Sequence, residues 1–452
     1  MNFEQSVEYL YGLGNEVSAM KLGLENIKIL LDALGNPEKN YRKVQVAGTN
    51  GKGSTCAFLE AICVSARIKT GLTISPHLIS ITERIKIGGR EISEKDFARH
   101  ASAIKETSEK LVVENKLETV PTFFEQVTAI ALSAFSEAKI ELAILETGLG
   151  GRFDAMTAAR AELVAITPID FDHEQILGNT IEQIASEKAA IIRADTKVVL
   201  AEQSSEAQTI LSSVCAEFGI TPSLGQTVVV GENHETLTAN QIAETNANFQ
   251  IRENKIRLNF KTPQAEYKNI RLSLRGRHQI ENAKSAILLA EILRGDFKIS
   301  PENIVEGLQN AVHKGRLEFY SGFLFDGAHN AAGAKALGKY LDELKIKKII
   351  LVFGAMKDKD LREIAAILFP RAAKIIFTEP DNSRSFKTSD LIKYLPKDFA
   401  GNMVFQTETV AEALNLARKI STEKDLICVT GSLYLVGEAQ RELAEDARLR
   451  DL

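Results

Sequence analysis

Short apolar runs separated by amphipathic stretches set the frame of this chain. Over the first 200 residues, runs at 44–47, 142–145, 163–167 and 198–201 alternate with helical periodicity, which predicts a largely parallel sheet flanked by helices. Leu59, Ile62 and Ala66 share one face of a helix placed after Ser54, and Gly71 is expected to stop it. From about 225 to 275 the runs shorten to segments such as Phe249-Gln-Ile-Arg252 and Lys255-Ile-Arg-Leu-Asn-Phe260, broken by polar turns. That pattern predicts a small antiparallel annex. A helix over 279–293 leads to Gly295-Asp-Phe-Lys-Ile-Ser-Pro301, read as a linker. Beyond it, apolar runs at 323–325, 349–353, 375–378 and 426–430 repeat the alternation. The expected fold is α/β: an N-terminal P-loop-type domain with a mostly parallel sheet and the annex over residues 1–295, and a smaller Rossmann-like α/β domain over 296–452.

The first apolar run ends in Gly48-Thr-Asn-Gly-Lys-Gly-Ser54. Three glycines let the backbone turn tightly with N–H groups pointing inward, and the following helix adds its positive end, so the segment reads as a phosphate cradle. Lys52 can reach phosphate oxygens, and Ser54 or Thr55 can ligate Mg²⁺. The spacing departs from the usual P-loop, which places four residues between its first glycine and Gly-Lys; here two separate Gly48 from Gly51.

Composition narrows the partners. The chain has 452 residues, 44% hydrophobic and 25% charged, with a net charge of -5, so a nucleotide is expected and a nucleic-acid polymer is not. Cys56, Cys63, Cys215 and Cys428 show no metal-ligand spacing and read as reduced, buried thiols. No basic leader and no apolar run of about 18 residues is present, so neither a signal peptide nor a membrane span is expected. The cytoplasm is the expected compartment.

Further polar groups gather after the apolar runs, where parallel sheets collect their ligands. Ser75-Pro-His-Leu78 offers a serine for Mg²⁺, or a simple proline turn. Glu146, ahead of a glycine-rich loop, stands where a magnesium-binding acid would, or caps a helix. His173, among Asp170, Asp172 and Glu174, reads equally as a metal ligand or a structural histidine, and Lys188 alone reads as a solvated charge. In the second half, Arg316 precedes Phe325-Asp-Gly-Ala-His-Asn330, where Asp326 could accept from a ribose and Arg316 could stabilise transferring phosphate. Each could be structural; with the cradle they suggest ATP held between two domains.

Taken in order, Val46-Ala-Gly-Thr-Asn-Gly-Lys-Gly-Ser54, Ser75-Pro-His-Leu78, Glu146 with Gly148-Leu-Gly-Gly-Arg152, Asp172-His173, Glu187-Lys-Ala189, His278-Gln with Asn282-Ala, and Asp326-Gly-Ala-His-Asn330 resemble the folylpolyglutamate synthase/dihydrofolate synthase family of Mur-ligase-like, ATP-dependent amide ligases. The resemblance spans nearly the whole chain. It implies a Mur-ligase-like ATP-binding domain over 1–295, a glutamate-ligase domain over 296–452, and a monomer. It implies that Asn50, Gly51, Lys52, Gly53 and Ser54 hold ATP phosphates, that Ser75 and Glu146 serve one Mg²⁺, and that Glu146 and His173 serve another. Ser54 joins the metal ligands, and K⁺ stands as a candidate further cation. Lys188 is implied to be carbamylated, which turns a cation into a carboxylate-like anion suited to a magnesium site. Asn282, Arg316 and Asp326 match contacts to adenine, phosphate and ribose.

For the pterin or folate acceptor the matching stretches are Thr122-Phe-Phe-Glu125 and Phe153-Asp-Ala155, since aromatics beside a hydrogen-bonding acid suit a flat heterocycle. Phe123 and Phe124 also read as plain core packing. Where this chain has Phe153-Asp-Ala-Met-Thr157, the family more usually has Leu-Asp-Ala-Thr-Asn. The implied reaction forms an acyl phosphate from ATP and the acceptor carboxylate, which L-glutamate's amine then attacks, with dihydropteroate, folate or both as acceptor. Lys52, Lys188 and Arg316 are the implied catalytic groups, and His329 and Ser432 are placed to orient glutamate or the intermediate. A Mur-type cell-wall ligase is the competing reading. The Ser75-Pro-His-Leu78 and Asp326-Gly-Ala-His-Asn330 forms argue against it, as does the short segment before the cradle.

Overall fold

The computed structural model describes residues 1–14, 23–224, 228–235, 255–346, 348–397 and 399–450. The segment Phe249-Gln-Ile-Arg252, expected to be a strand, lies outside them. Three sheets organise the chain. The first has eight strands: β1 (Arg42–Ala47), β2 (Thr70–Thr73), β3 (Ile85–Ile87), β4 (Arg90–Glu91), β5 (Leu142–Glu146), β6 (Leu163–Ile166), β7 (Lys197–Leu200) and β8 (Ser223–Leu224), in the order β4-β3-β2-β5-β1-β6-β7-β8. All neighbours from β2 to β8 run parallel, and β3 and β4 add an antiparallel edge. All four apolar runs expected here are strands, because a sheet covered on both faces needs unbroken apolar sequence. In β1, Val44 through Ala47 are all buried.

Helices α1 (Phe3–Gly12), α2 (Glu25–Ala33), α3 (Lys52–Ser65), α4 (Glu94–Val113), α5 (Phe123–Glu137), α6 (Glu174–Leu177), α7 (Ile181–Ala189) and α8 (Ser205–Glu217) connect these strands. Leu10, Ile27, Phe97, Ile130 and Phe135 pack in one core, and Ile184, Ile191, Leu200 and Leu211 in another that includes Ala47 and Ile166. The chain reverses direction across the sheet at β1, with β5 on one side and β6 on the other, so the loops leaving β1, β5 and β6 crowd one rim. The α3 helix begins at Lys52, before Ser54, and ends at Ser65. Gly71 does not stop it; it lies in β2, where the ring of Phe135 occupies the space a Cβ would need.

The annex is a three-stranded sheet of β9 (Val228–Glu235), β10 (Lys255–Lys261) and β11 (Glu266–Ile270), in the order β11-β10-β9. A short turn at 262–265, closed by Thr262 N–H donating to Ala265 at 2.9 Å, makes β10 and β11 antiparallel, since a parallel pair needs a crossover. After α9 (His278–Leu293) and α10 (Pro301–Asn310) come β12 (Glu318–Tyr320), β13 (Phe323–Asp326), α11 (Ala331–Glu343), β14 (Ile349–Phe353), α12 (Leu361–Leu368), β15 (Lys374–Phe377), α13 (Thr388–Leu391), β16 (Val404–Gln406), α14 (Val410–Ile420), β17 (Leu426–Thr430) and α15 (Leu433–Arg450). Their six strands order as β12-β13-β17-β14-β15-β16, parallel except for β12.

By contact the chain divides into a first unit of Met1–Val228, Phe260–Tyr267 and Glu281–Ala311, and a second of Val229–Asn259, Lys268–Ile280 and Val312–Leu452. The boundary therefore falls after Ala311 rather than after residue 295, and most of the annex goes with the second unit. The cause is α10, which packs directly on α3: a Cβ on Gly307 would lie 2.4 Å from the backbone N and Cα of Ile62. Gly295 to Pro301 is thus a turn inside the first unit. Gly307→Val should force this helix pair apart at a cost of about 1–3 kcal/mol, read as a lower urea midpoint; an unchanged midpoint would contradict the close packing.

Candidate active site

The turn after β1 is built by two left-handed glycines. Gly48 has φ +144°, and a Cβ there would fall 1.9 Å from Thr167 Oγ1; Gly51 has φ +89°, and its Cβ would fall 2.2 Å from Asn282 Oδ1. A larger residue at either position is excluded by sterics as well as by backbone strain. Asn282, on α9, is thereby brought onto the loop. Clamps that sequence alone did not reveal come from the segment after β6. Thr49 and Asn50 N–H donate to Pro168 O at 3.1 and 3.3 Å, Thr49 Oγ1 donates to Asp170 O at 2.9 Å, and Asp170 N–H returns a bond to Thr49 Oγ1 at 3.0 Å. No local pattern marks contacts across some 120 residues.

Gly51 caps α3, so the first-turn N–H groups, from Lys52 onward, have no intrahelical acceptor and form an anion-binding end. Lys52 Nζ folds over its own loop and donates to Gly48 O at 3.1 Å and Thr49 O at 3.0 Å. Lys188, from α7, donates to the same Gly48 oxygen at 2.8 Å and is only 4% exposed. It is not a solvated charge. Burial, and secondarily Lys52, hold its ammonium down to about 7, against the pull of Asp172 and Asp154.

Glu146 ends β5 level with Val46 of β1 and is buried; its Oε2 accepts from Ser75 N–H at 2.9 Å. Ser75 and Glu146 are therefore neighbours. His173 takes a left-handed conformation (φ 52°) at the start of α6, with Nε2 3.7 Å from Asp172 Oδ1. Among the described residues no three His, Cys, Asp or Glu side chains form a metal cage. Glu146 beside Ser75 offers oxygen donors of the kind Mg²⁺ takes, an ion that binds one or two carboxylates and completes its shell with phosphate oxygens and water.

The stretch expected to hold the pterin does more structural work than anticipated. Thr122 caps α5, and Glu125 Oε2 accepts from Thr122 N–H and Oγ1, both at 2.8 Å, a capping box legible in Thr-x-x-Glu. Phe123 is 2% exposed and belongs to the core. Phe124 lies over Gly148, where a Cβ would meet its ring at 2.6 Å. Asp154, also buried, holds the glycine-rich loop: Oδ2 accepts from Leu149 N–H at 2.9 Å and Oδ1 from Met156 N–H at 3.0 Å, and burial raises its carboxyl to about 6. Ala155 is buried, and Phe153 is exposed.

In the second unit, Asp326 ends β13 and is buried, accepting from Leu317 and Ala328 N–H at 3.0 Å each. Its carboxyl is raised by burial, with Arg316 opposing. A carboxylate has further lone pairs, so these bonds leave capacity for a hydroxyl. Arg316 stands beside Gly327, its Nη1 3.5 Å from where a Cβ would sit, and His329 Nδ1–H donates to Gly327 O at 2.7 Å. Ser432 differs from expectation: it is 1% exposed, and its hydroxyl accepts from Tyr434 and Leu435 N–H at the start of α15. It is a helix cap.

Residues 46–290 match the Mur ligase middle domain and residues 315–433 the Mur ligase glutamate ligase domain. A Bacillus subtilis protein named dihydrofolate synthase/folylpolyglutamate synthase is 34% identical, covering 94% of this chain and 95% of its own. A Haloferax volcanii protein named probable bifunctional folylpolyglutamate synthase/dihydropteroate synthase is 33% identical over 97% of this chain, which spans only 50% of that relative's length. The structure of a Yersinia pestis bifunctional folylpolyglutamate synthase/dihydrofolate synthase, complexed with AMPPNP and Mn, superposes with a TM-score of 0.81 at 26% identity, covering 98% of each chain. Site and domains together define a Mur-type ligase. The chain belongs, within that superfamily, to the dihydrofolate synthase/folylpolyglutamate synthase family.

Lys188 generates a pH test. With its folded pKa below the ordinary lysine value of 10.5, the unfolded chain binds one more proton between about pH 7 and 10.5, so the stability this position allows rises with pH across that window. Lys188→Met should be more stable than wild type at pH 6, with the gap narrowing by pH 10. A urea-midpoint difference that does not change with pH would contradict it.

Proposed function

We propose that this chain uses ATP to join L-glutamate to a pterin acid such as dihydropteroate, to the γ-carboxylate of folate polyglutamates, or to both, through an acyl phosphate. The observation that carries this reading is the convergence of Lys52 and Lys188 on the Gly48 carbonyl at the positive end of α3, beside the Glu146–Ser75 pair. Asn50 to Ser54 hold the phosphates of ATP, and Asn282, Arg316 and Asp326 contact adenine, phosphate and ribose. Ser54, Ser75, Glu146, His173 and, once carbamylated, Lys188 would hold two Mg²⁺ ions. When bound, they neutralise charge on the transferring phosphoryl group. An amine with a pKa near 7 has a substantial neutral fraction near pH 7, as addition to CO₂ requires, and the resulting carbamate exchanges a poor cation for an anionic ligand.

In the first step the acceptor carboxylate attacks the γ-phosphorus of ATP, and ADP leaves. Lys52 and Arg316 stabilise charge on the transferring group. Glutamate's amine then attacks the acyl carbon, phosphate departs, and the proton lost by nitrogen passes to solvent or phosphate. Water must be excluded between the two steps, because the acyl phosphate would otherwise hydrolyse. His329, with Nδ1–H held by Gly327, presents Nε2 as an acceptor in its neutral form and serves to orient glutamate or the intermediate. Thr122 to Glu125 and Phe153 to Ala155 shape the acceptor site, Glu125 and Asp154 by fixing its backbone. The four buried, unpaired thiols suit a reducing compartment, the cytoplasm, and the working unit is the monomer.

Lys52→Ala and Glu146→Ala should each lower glutamate incorporation by on the order of 10²-fold or more while leaving circular dichroism unchanged. Activity within a few-fold of wild type in either well-folded variant would refute the assignment. Lys188→Ala should be inactive and partly rescued by short carboxylic acids; rescue by short amines instead would show that a cation, not a carbamate, is required.

A further inference from the structure

At the start of α5, Phe123 does not present its own ring to solvent. Phe123 is 2% exposed, and what covers it is Tyr11 of α1, whose ring lies parallel to it, with centroids 5.6 Å apart and planes at 3°. The Arg84 guanidinium also packs on Phe123, 5.3 Å from its centroid. Tyr11 itself is 53% exposed. Its position is nevertheless fixed at the polar end, because its hydroxyl lies 3.0 Å from His77 Nε2, and His77 Nδ1 accepts from Arg84 Nε at 2.7 Å. A bond from the guanidinium to Nδ1 leaves the proton of the neutral imidazole on Nε2, so His77 donates to the phenol oxygen.

The same short segment also reaches the phosphate end. His77 lies two residues after Ser75, whose N–H donates to Glu146. One stretch of chain therefore links the carboxylate assigned to the metal with an oriented, half-open aromatic ring. An acceptor acid that places its carboxylate near Glu146 and carries a flat heterocycle needs such a ring at the far end.

We propose that Tyr11 is a substrate-contact residue, its exposed ring stacking on the heteroaromatic ring of the acceptor and its orientation set by the Arg84–His77–Tyr11 chain. Phe123 backs Tyr11 instead of touching substrate. This rests on the reading of the protein as a ligase of pterin acids.

The test uses the full chain with Tyr11→Leu, which keeps apolar cover over Phe123 but removes the aromatic face, and Tyr11→Phe, which keeps the face but loses the bond to His77. Steady-state constants are measured for dihydropteroate, ATP and glutamate, and dihydropteroate binding without ATP is followed by its own fluorescence. Tyr11→Leu should raise both the KM and the Kd for dihydropteroate about tenfold, with kcat within about twofold and the KM values for ATP and glutamate unchanged. Tyr11→Phe should stay within about threefold of wild type. Dihydropteroate constants within twofold of wild type in Tyr11→Leu would overturn the proposal, as would equal losses in both variants or a rise shared by ATP and glutamate. Wild-type enzyme that ligates no pterin acid at all would instead overturn the reading on which it rests.

Discussion

One carbonyl oxygen organises this protein's chemistry. Gly48 passes so close to the end of β6 that no side chain fits between it and Thr167, and its carbonyl receives two ammonium groups, Lys52 from the loop's own helix and Lys188 from α7. Two cations on one acceptor in a buried setting are tolerable only if one gives up its charge or an anion joins them. The depressed pKa of Lys188 is the first response, and the phosphates of ATP would, on the proposed function, supply the second. The glycine turn, the clamp from Thr49 and Asp170, and the packing of Asn282 on Gly51 all hold that carbonyl where both lysines reach it.

Several side chains read as ligand groups act by fixing backbone. In the first unit Glu125 closes a capping box and Asp154 accepts from Leu149 and Met156 N–H; in the second, Ser432 caps α15. Each sits in a stretch that resembles a ligand-binding motif, and each is nearly or wholly buried. Residues that hold a loop by accepting its N–H groups are as restricted in type as residues that touch substrate, because no other side chain supplies the same acceptors at the same reach. Ordered loops of this kind are what a two-step ligation needs, since the intermediate must persist long enough to meet glutamate.

The parallel strands were readable because burial on both faces leaves an uninterrupted apolar run, as in 142–145 and 349–353. The phosphate loop was readable because its glycines and lysine serve a local geometry. What escaped was non-local. Gly307 gives no sign in sequence that it meets Ile62, so α10 was assigned across the wrong boundary, and Gly71, read as a stop, is small because Phe135 needs the room. Tyr11 lies in an ordinary amphipathic helix, and only the fold places it on Phe123 and against His77. The Thr-x-x-Glu box at Thr122 is legible in the sequence, as a helix start that also lies in a substrate-binding motif.

The central claim is that the loop at Gly48 holds ATP for transfer of its γ-phosphoryl group to a carboxylate. Carboxylate oxygen labelled with ¹⁸O in dihydropteroate follows that transfer directly, because the attacking oxygen becomes the bridge to phosphorus and leaves with it when glutamate's amine attacks carbon. The account predicts one ¹⁸O in the released phosphate for each amide bond formed. Unlabelled phosphate formed together with the amide product would contradict it.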